Sequence, residues 1–198
     1  MPFPLSRIWL ALVLTLCLFV PALNGGHPVH AQENESDASF AELMNRPLRV
    51  PAVVAGDACP RSDTNRIAAD GRISVALGSG PLYLTLGQDG MIQVRSFDLQ
   101  DGLYAARVVL AVAPDIRSPI LVRGQQINGP NSVRFAYDGT PTLDALRLGA
   151  ALDLPVADAE DDWRFAASSL GVAGPGCYVI QADGPYFSEN IVFEVSTG

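Results

Sequence analysis

Four carboxylates crowd into one short stretch, Asp158, Glu160, Asp161 and Asp162, the densest charge in the chain. Calcium takes about six to eight oxygen ligands, so adjacent carboxylates on a loop make these four a calcium candidate. Their spacing lacks the alternating acids and the glycine of a calcium loop, and a solvated acidic loop before Trp163 is the plainer reading. Paired carboxylates also hydrolyse glycosides, one as acid and one as base or nucleophile. Nothing singles out two among the 21 acids, and Trp163 is the one indole outside the N-terminal apolar run. Gly78-Ser79-Gly80-Pro81 is glycine-rich but has no lysine and precedes a strand, so it reads as a tight turn and not as a phosphate loop.

What is missing narrows the chemistry further. All 13 basic residues are arginine, and the two histidines, His27 and His30, lie close to the N-terminus. Beyond that region the chain has no imidazole to act as base or zinc ligand, and no lysine nucleophile. Ser168, Ser169 and Ser188 therefore lack a conventional base. No cofactor is expected. The formal net charge of −8 repels nucleic-acid phosphates and anionic membrane surfaces, and no basic cluster offsets it.

The N-terminus reads as a signal peptide over residues 1–31. Arg7 precedes the apolar run Ile8 to Val20, 13 residues that Pro21 ends. At about 1.5 Å per residue the run reaches roughly 20 Å, short of the roughly 30 Å hydrocarbon core. Val29-His30-Ala31 places cleavage before Gln32; cleavage after Ala22 and an uncleaved anchor are the alternatives. Cys17 follows Leu16 inside the run, which does not suit a lipobox. The expected product is secreted or extracytoplasmic, with no membrane span after cleavage. Two cysteines then remain, Cys59 and Cys177, and an even pair in an exported chain argues for one disulfide, with two buried free thiols as the alternative.

Residues 32–55, acidic at first and then punctuated by Pro47 and Pro51, read as a flexible linker. Residues 56–198 read as one domain. Asp70-Gly71, Asp89-Gly90, Asp101-Gly102, Asn128-Gly129, Asp138-Gly139 and Asp183-Gly184 are turn signals that cut it into short apolar runs. Strands are expected near Ile73–Leu77, Leu82–Leu86, Met91–Phe97, Ala105–Val112, Ile120–Gln125, Ser132–Tyr137, Trp163–Ser168, Cys177–Ala182 and Ser188–Val195. Leu143–Leu152 carries the one hint of helix. In Ile191-Val192-Phe193-Glu194-Val195 the odd positions are apolar, as in a strand with one buried face. The pattern fits an antiparallel β-sandwich, with a small β-barrel as the competing closure.

Tyr178 reads as a corner tyrosine whose hydroxyl ties a loop to its strand. Tyr186 and Phe187 fall in the turn between the last two strands, where exposed aromatics form a candidate binding edge; burial at the end of the domain is the alternative.

Two blocks resemble a family of small secreted or lipid-anchored bacterial proteins without known activity. One is Pro119-Ile120-Leu121-Val122-Arg123-Gly124-Gln125-Gln126-Ile127-Asn128-Gly129-Pro130. The other is Gly174-Pro175-Gly176-Cys177-Tyr178-Val179-Ile180-Gln181-Ala182-Asp183-Gly184, continuing to Phe187-Ser188-Glu189 and Ile191–Val195. Cys59-Pro60 matches that family's early Cys-Pro. The resemblance implies one immunoglobulin-like sandwich in which Cys59 and Cys177 are bonded. Family members often carry a tryptophan-rich strand upstream of the arginine-glycine block; Ala105–Val112 has none, so that feature is not carried over. The expected function is that of a non-enzymatic binding or accessory module at the cell surface, with a surface protein or glycan as partner. The alternative is a carboxylate-dependent hydrolase of cell-wall or polymer substrates.

Overall fold

The computed structural model describes residues 39–54, 56–69, 72–86, 91–94, 99–137, 141–149 and 163–198. The expected signal peptide, the start of the expected linker and the acidic stretch Asp158, Glu160, Asp161 and Asp162 lie outside the described residues. Among the described residues twelve strands follow one another: β1 Thr64–Ala69, β2 Arg72–Leu77, β3 Leu82–Thr85, β4 Met91–Val94, β5 Leu99–Gln100, β6 Leu103–Val112, β7 Ile120–Gln126, β8 Arg134–Ala136, β9 Ala145–Leu148, β10 Arg164–Val172, β11 Gly176–Gly184 and β12 Phe187–Thr197. The chain is all-β, built as two sheets of which one curls into a half-barrel.

The first sheet runs β1-β2-β3-β6-β10-β8, with β5 paired to the start of β6. The second runs β4-β12-β11-β7-β9. Its pairs are antiparallel except β12 with β4. Period-two alternation turns one face of each sheet inward. Val108, Leu110 and Val112 from β6, Ala166 and Leu170 from β10, Ile180 from β11 and Ile191, Phe193 and Val195 from β12 all join a single core shared by both sheets. The two sequence blocks that carry the family resemblance lie side by side here, since Val179 pairs with Gln125 and Gln181 with Arg123. Gly124 allows this approach: a β-carbon there would stand 2.8 Å from Val133 and from the Val179 carbonyl.

Two expectations are corrected. The helix hinted at in Leu143–Leu152 is, at Ala145–Leu148, strand β9 on β7. Leu146 and Leu148 are buried while Arg147 between them is exposed, which is alternation with period two. The flexible linker is, over residues 39–54, a packed strap. Residues 39–44 form a short helix that seats Phe40 and Leu43 on Leu121. The chain then crosses the outer face of the second sheet, where Val50 and Cys59 cover Cys177, Val179 and Val192. Ser62 ends the crossing at the edge of β12: its amide donates to the Val192 carbonyl at 2.9 Å, and its hydroxyl accepts from the Val192 amide at 2.9 Å. The segment is held by residues 77 to 141 positions away in sequence, which no local pattern reveals.

Candidate ligand-binding face

The outward positions of the second sheet are occupied by its own chain. Arg123 donates to Asp183 at 2.7 Å and to the Arg46 carbonyl at 2.9 Å. Gln181 donates to the Pro47 carbonyl at 3.1 Å and to both oxygens of Asp183, and its own amide oxygen accepts from the Arg49 amide at 2.6 Å. Arg46 donates to the carbonyls of Gly184, Pro185 and Phe187, clamping the β11–β12 hairpin. Cys59 and Cys177 are bonded, with Cα atoms 5.4 Å apart, so the strap is also covalently fixed. A disulfide is consistent with an extracytoplasmic protein.

The outward face of the first sheet differs. Ile67, Ala76 and Ala111 form an apolar patch there, with half-buried Tyr83, Trp163 and Phe165 packed against it. The rings of Tyr83 and Trp163 lie 5.7 Å apart at 55°. Farther along β6 the same face presents Val109 and then Arg107, whose cross-strand partners are Ala167 and Ser169. A recess of about 380 Å³ opens here, lined among others by Thr85, Leu86, Arg107, Val109, Tyr137 and Ser169. From Ala111 to Arg107 is four strand residues, about 13 Å. The aromatic patch and the recess are therefore one surface. Arg107 is exposed and has no partner among the described residues.

The other residues singled out in the sequence are placed as follows. The Tyr178 hydroxyl donates to the Gly174 carbonyl at 2.7 Å, and its ring stacks on Phe193 at 5.8 Å. Burial pushes the Tyr178 hydroxyl above the usual phenol range, against the pull of that carbonyl bond. Tyr186 is 96% exposed at the hairpin tip, whereas Phe187 packs on the core, so the two do not form one edge. Ser168 is buried and donates to the Ala136 carbonyl at 2.8 Å. The turn Gly78-Ser79-Gly80-Pro81 receives Glu189, whose Oε1 accepts from the Ser79 amide at 2.6 Å and its hydroxyl at 3.1 Å. Gly78 and Gly80 have φ of 114° and 91°, a region other residues avoid. Burial raises the Glu189 carboxyl above its ordinary value despite amide bonds from Ser79, Gly80 and Leu82, and its buried Oε2 has no hydrogen-bond partner among the described residues.

A second recess, about 440 Å³, borders the disulfide from Cys59 to Thr64. Its Arg61 already faces Glu194 at 3.8 Å. Among the described residues, no group of His, Cys, Asp or Glu is arranged to hold a metal, and no helix is long and apolar enough to cross a membrane. No protein-family model, curated protein or solved structure matches this chain. The recess was not foreseen from the sequence: its lining comes from three strands and the residues after β8, and no motif links them.

Proposed function

We propose that the protein is an exported, non-enzymatic binding or accessory module of the cell surface, built as an immunoglobulin-like β-sandwich. Two sheets around one core and a disulfide near the domain's ends support the architecture. One departure from antibody domains is that this disulfide pins a strap to the outside of one sheet instead of joining the two sheets. The observation that carries the functional reading is the asymmetry of the outer faces. One is crossed by residues 39–54 and 56–62, and the other offers Tyr83, Trp163 and Phe165 beside a recess whose guanidinium has no partner among the described residues. Half-buried aromatics held rigid on a sheet contribute contact area at small entropic cost.

The alternative, a carboxylate-dependent hydrolase, needs two convergent acids. The described acids with assigned partners are dispersed: Asp183 pairs with Arg123, Glu194 with Arg61, Asp144 with Arg134, and Glu189 is held by Ser79. The test is retention of the purified protein on cell-wall and envelope fractions. The wild type should be retained and the Tyr83→Ala/Trp163→Ala variant released; a wild type that no fraction retains overturns the reading.

A further inference from the structure

We propose that the recess on the outer face of the first sheet is a subsite for a sugar ring that bears a carboxylate. This rests on the reading of the chain as a binding module and specifies what it binds. Arginine has five donors and no acceptor, so its natural partner is an oxygen anion, met best by a carboxylate in a forked pair. Arg107 stands in the recess with that capacity unused among the described residues. Among the described residues that line the recess, the one charged group is the guanidinium of Arg107, although the whole chain is acidic. At physiological ionic strength charges beyond about 8 Å are largely screened, so distant acids of the chain weigh little at Arg107.

The remaining groups suit a polyhydroxylated ring. Ser169 is the cross-strand neighbour of Arg107, and its hydroxyl makes no hydrogen bond among the described residues. Tyr137 forms a wall, 46% exposed, and its hydroxyl is bound to the Arg147 carbonyl, which fixes the ring before any ligand arrives. Val109 supplies an apolar floor for the C–H face of a sugar. About 380 Å³ is at the low end of ligand sites, which run from roughly 300 to 1,000 Å³, so the recess admits a single ring while neighbouring rings lie over Tyr83 and Trp163. The single guanidinium of Arg107 balances one negative charge, which is the charge a sugar carboxylate carries.

The probes are a short oligogalacturonate and its methyl ester, titrated into the purified protein by calorimetry. The acid should bind roughly 10- to 100-fold tighter than the ester, the range of one charge-assisted hydrogen-bond pair. Arg107→Gln should bring the two affinities together while leaving the melting temperature unchanged, since Arg107 is exposed. Tyr137→Ala should weaken both. Equal binding of acid and ester, an unaffected Arg107→Gln variant, or no binding of either probe overturns the assignment. If envelope fractions still retain the protein in those cases, the binding-module reading survives and the acidic-sugar subsite alone falls.

Discussion

The guanidinium of Arg123 and the carboxylate of Asp183 meet at 2.7 Å on the outward face of the second sheet, beneath the chain that runs through Arg46 and Pro47. Asp183 is fully buried there, although its side chain points away from the core. The pair exists because the strap roofs it, and the strap is seated because Arg123 also holds the carbonyls of Met44 and Arg46.

Removing one partner of such a pair leaves a buried charge uncompensated. Arg123→Met should lower unfolding stability by about 3–5 kcal/mol in urea titrations. Replacing both, Arg123→Gln with Asp183→Asn, should cost less than the single change, because no buried charge is then stranded. A single variant as stable as the wild type would contradict the burial of Asp183.

The disulfide closes a loop over a sequence separation of 118. Cys59→Ser/Cys177→Ser should lose about 2–5 kcal/mol, the range expected for a long loop in a small exported domain. Denaturant titration with and without reductant should give the same difference in the wild type. Mass spectrometry should show a gain of two hydrogens on reduction.

Glu189 makes stability depend on pH in a defined direction. Its folded carboxyl titrates above the ordinary range of a glutamate, chiefly because of burial, so the folded state holds the proton more tightly than the unfolded chain. Stability contributed by this group is present below the unfolded value and is lost as pH rises through the folded one. Glu189→Gln should therefore gain on the wild type as pH rises from about 4.5 toward neutrality. Parallel stability curves for the two proteins would contradict this.

Tyr178→Phe removes the hydroxyl that binds the Gly174 carbonyl but keeps the ring stacked on Phe193. The expected loss is about 0.5–1.5 kcal/mol, the net worth of one hydrogen bond. Amide exchange should quicken around residues 174–176 and little elsewhere.

Local signals carried the strands well and the layout around them poorly. Asp-Gly and Asn-Gly turns together with alternation located β2, β3, β6, β7, β10, β11 and β12 to within a few residues. β1 escaped because Thr64, Asn65 and Arg66 are polar and exposed on an edge strand, where no hydrophobic face is required. β9 was misread because Leu143 and Leu146 are also spaced as on one helical turn, and four residues are too few to separate the periods. The short helix at residues 39–44 was hidden in what read as a linker, because the partner that seats Phe40 and Leu43 is Leu121, far away in sequence. The recess was equally hidden, since Thr85, Arg107 and Ser169 become neighbours only through the pairing of β3, β6 and β10.

The strap belongs to the beginning of the domain and its seat to the end. Arg46 holds Gly184, Ser62 holds Val192, and Cys59 is bonded to Cys177. A chain that emerges N-terminus first therefore carries Phe40 and Leu43 in water until Leu121 of β7 follows, and a free Cys59 thiol until β11 follows. Contacts this distant in sequence form slowly and expose apolar surface in the interval. Closure of the Cys59–Cys177 bond in its native setting requires β11 and β12 to be paired, so an oxidised molecule is one in which both strands have already been made.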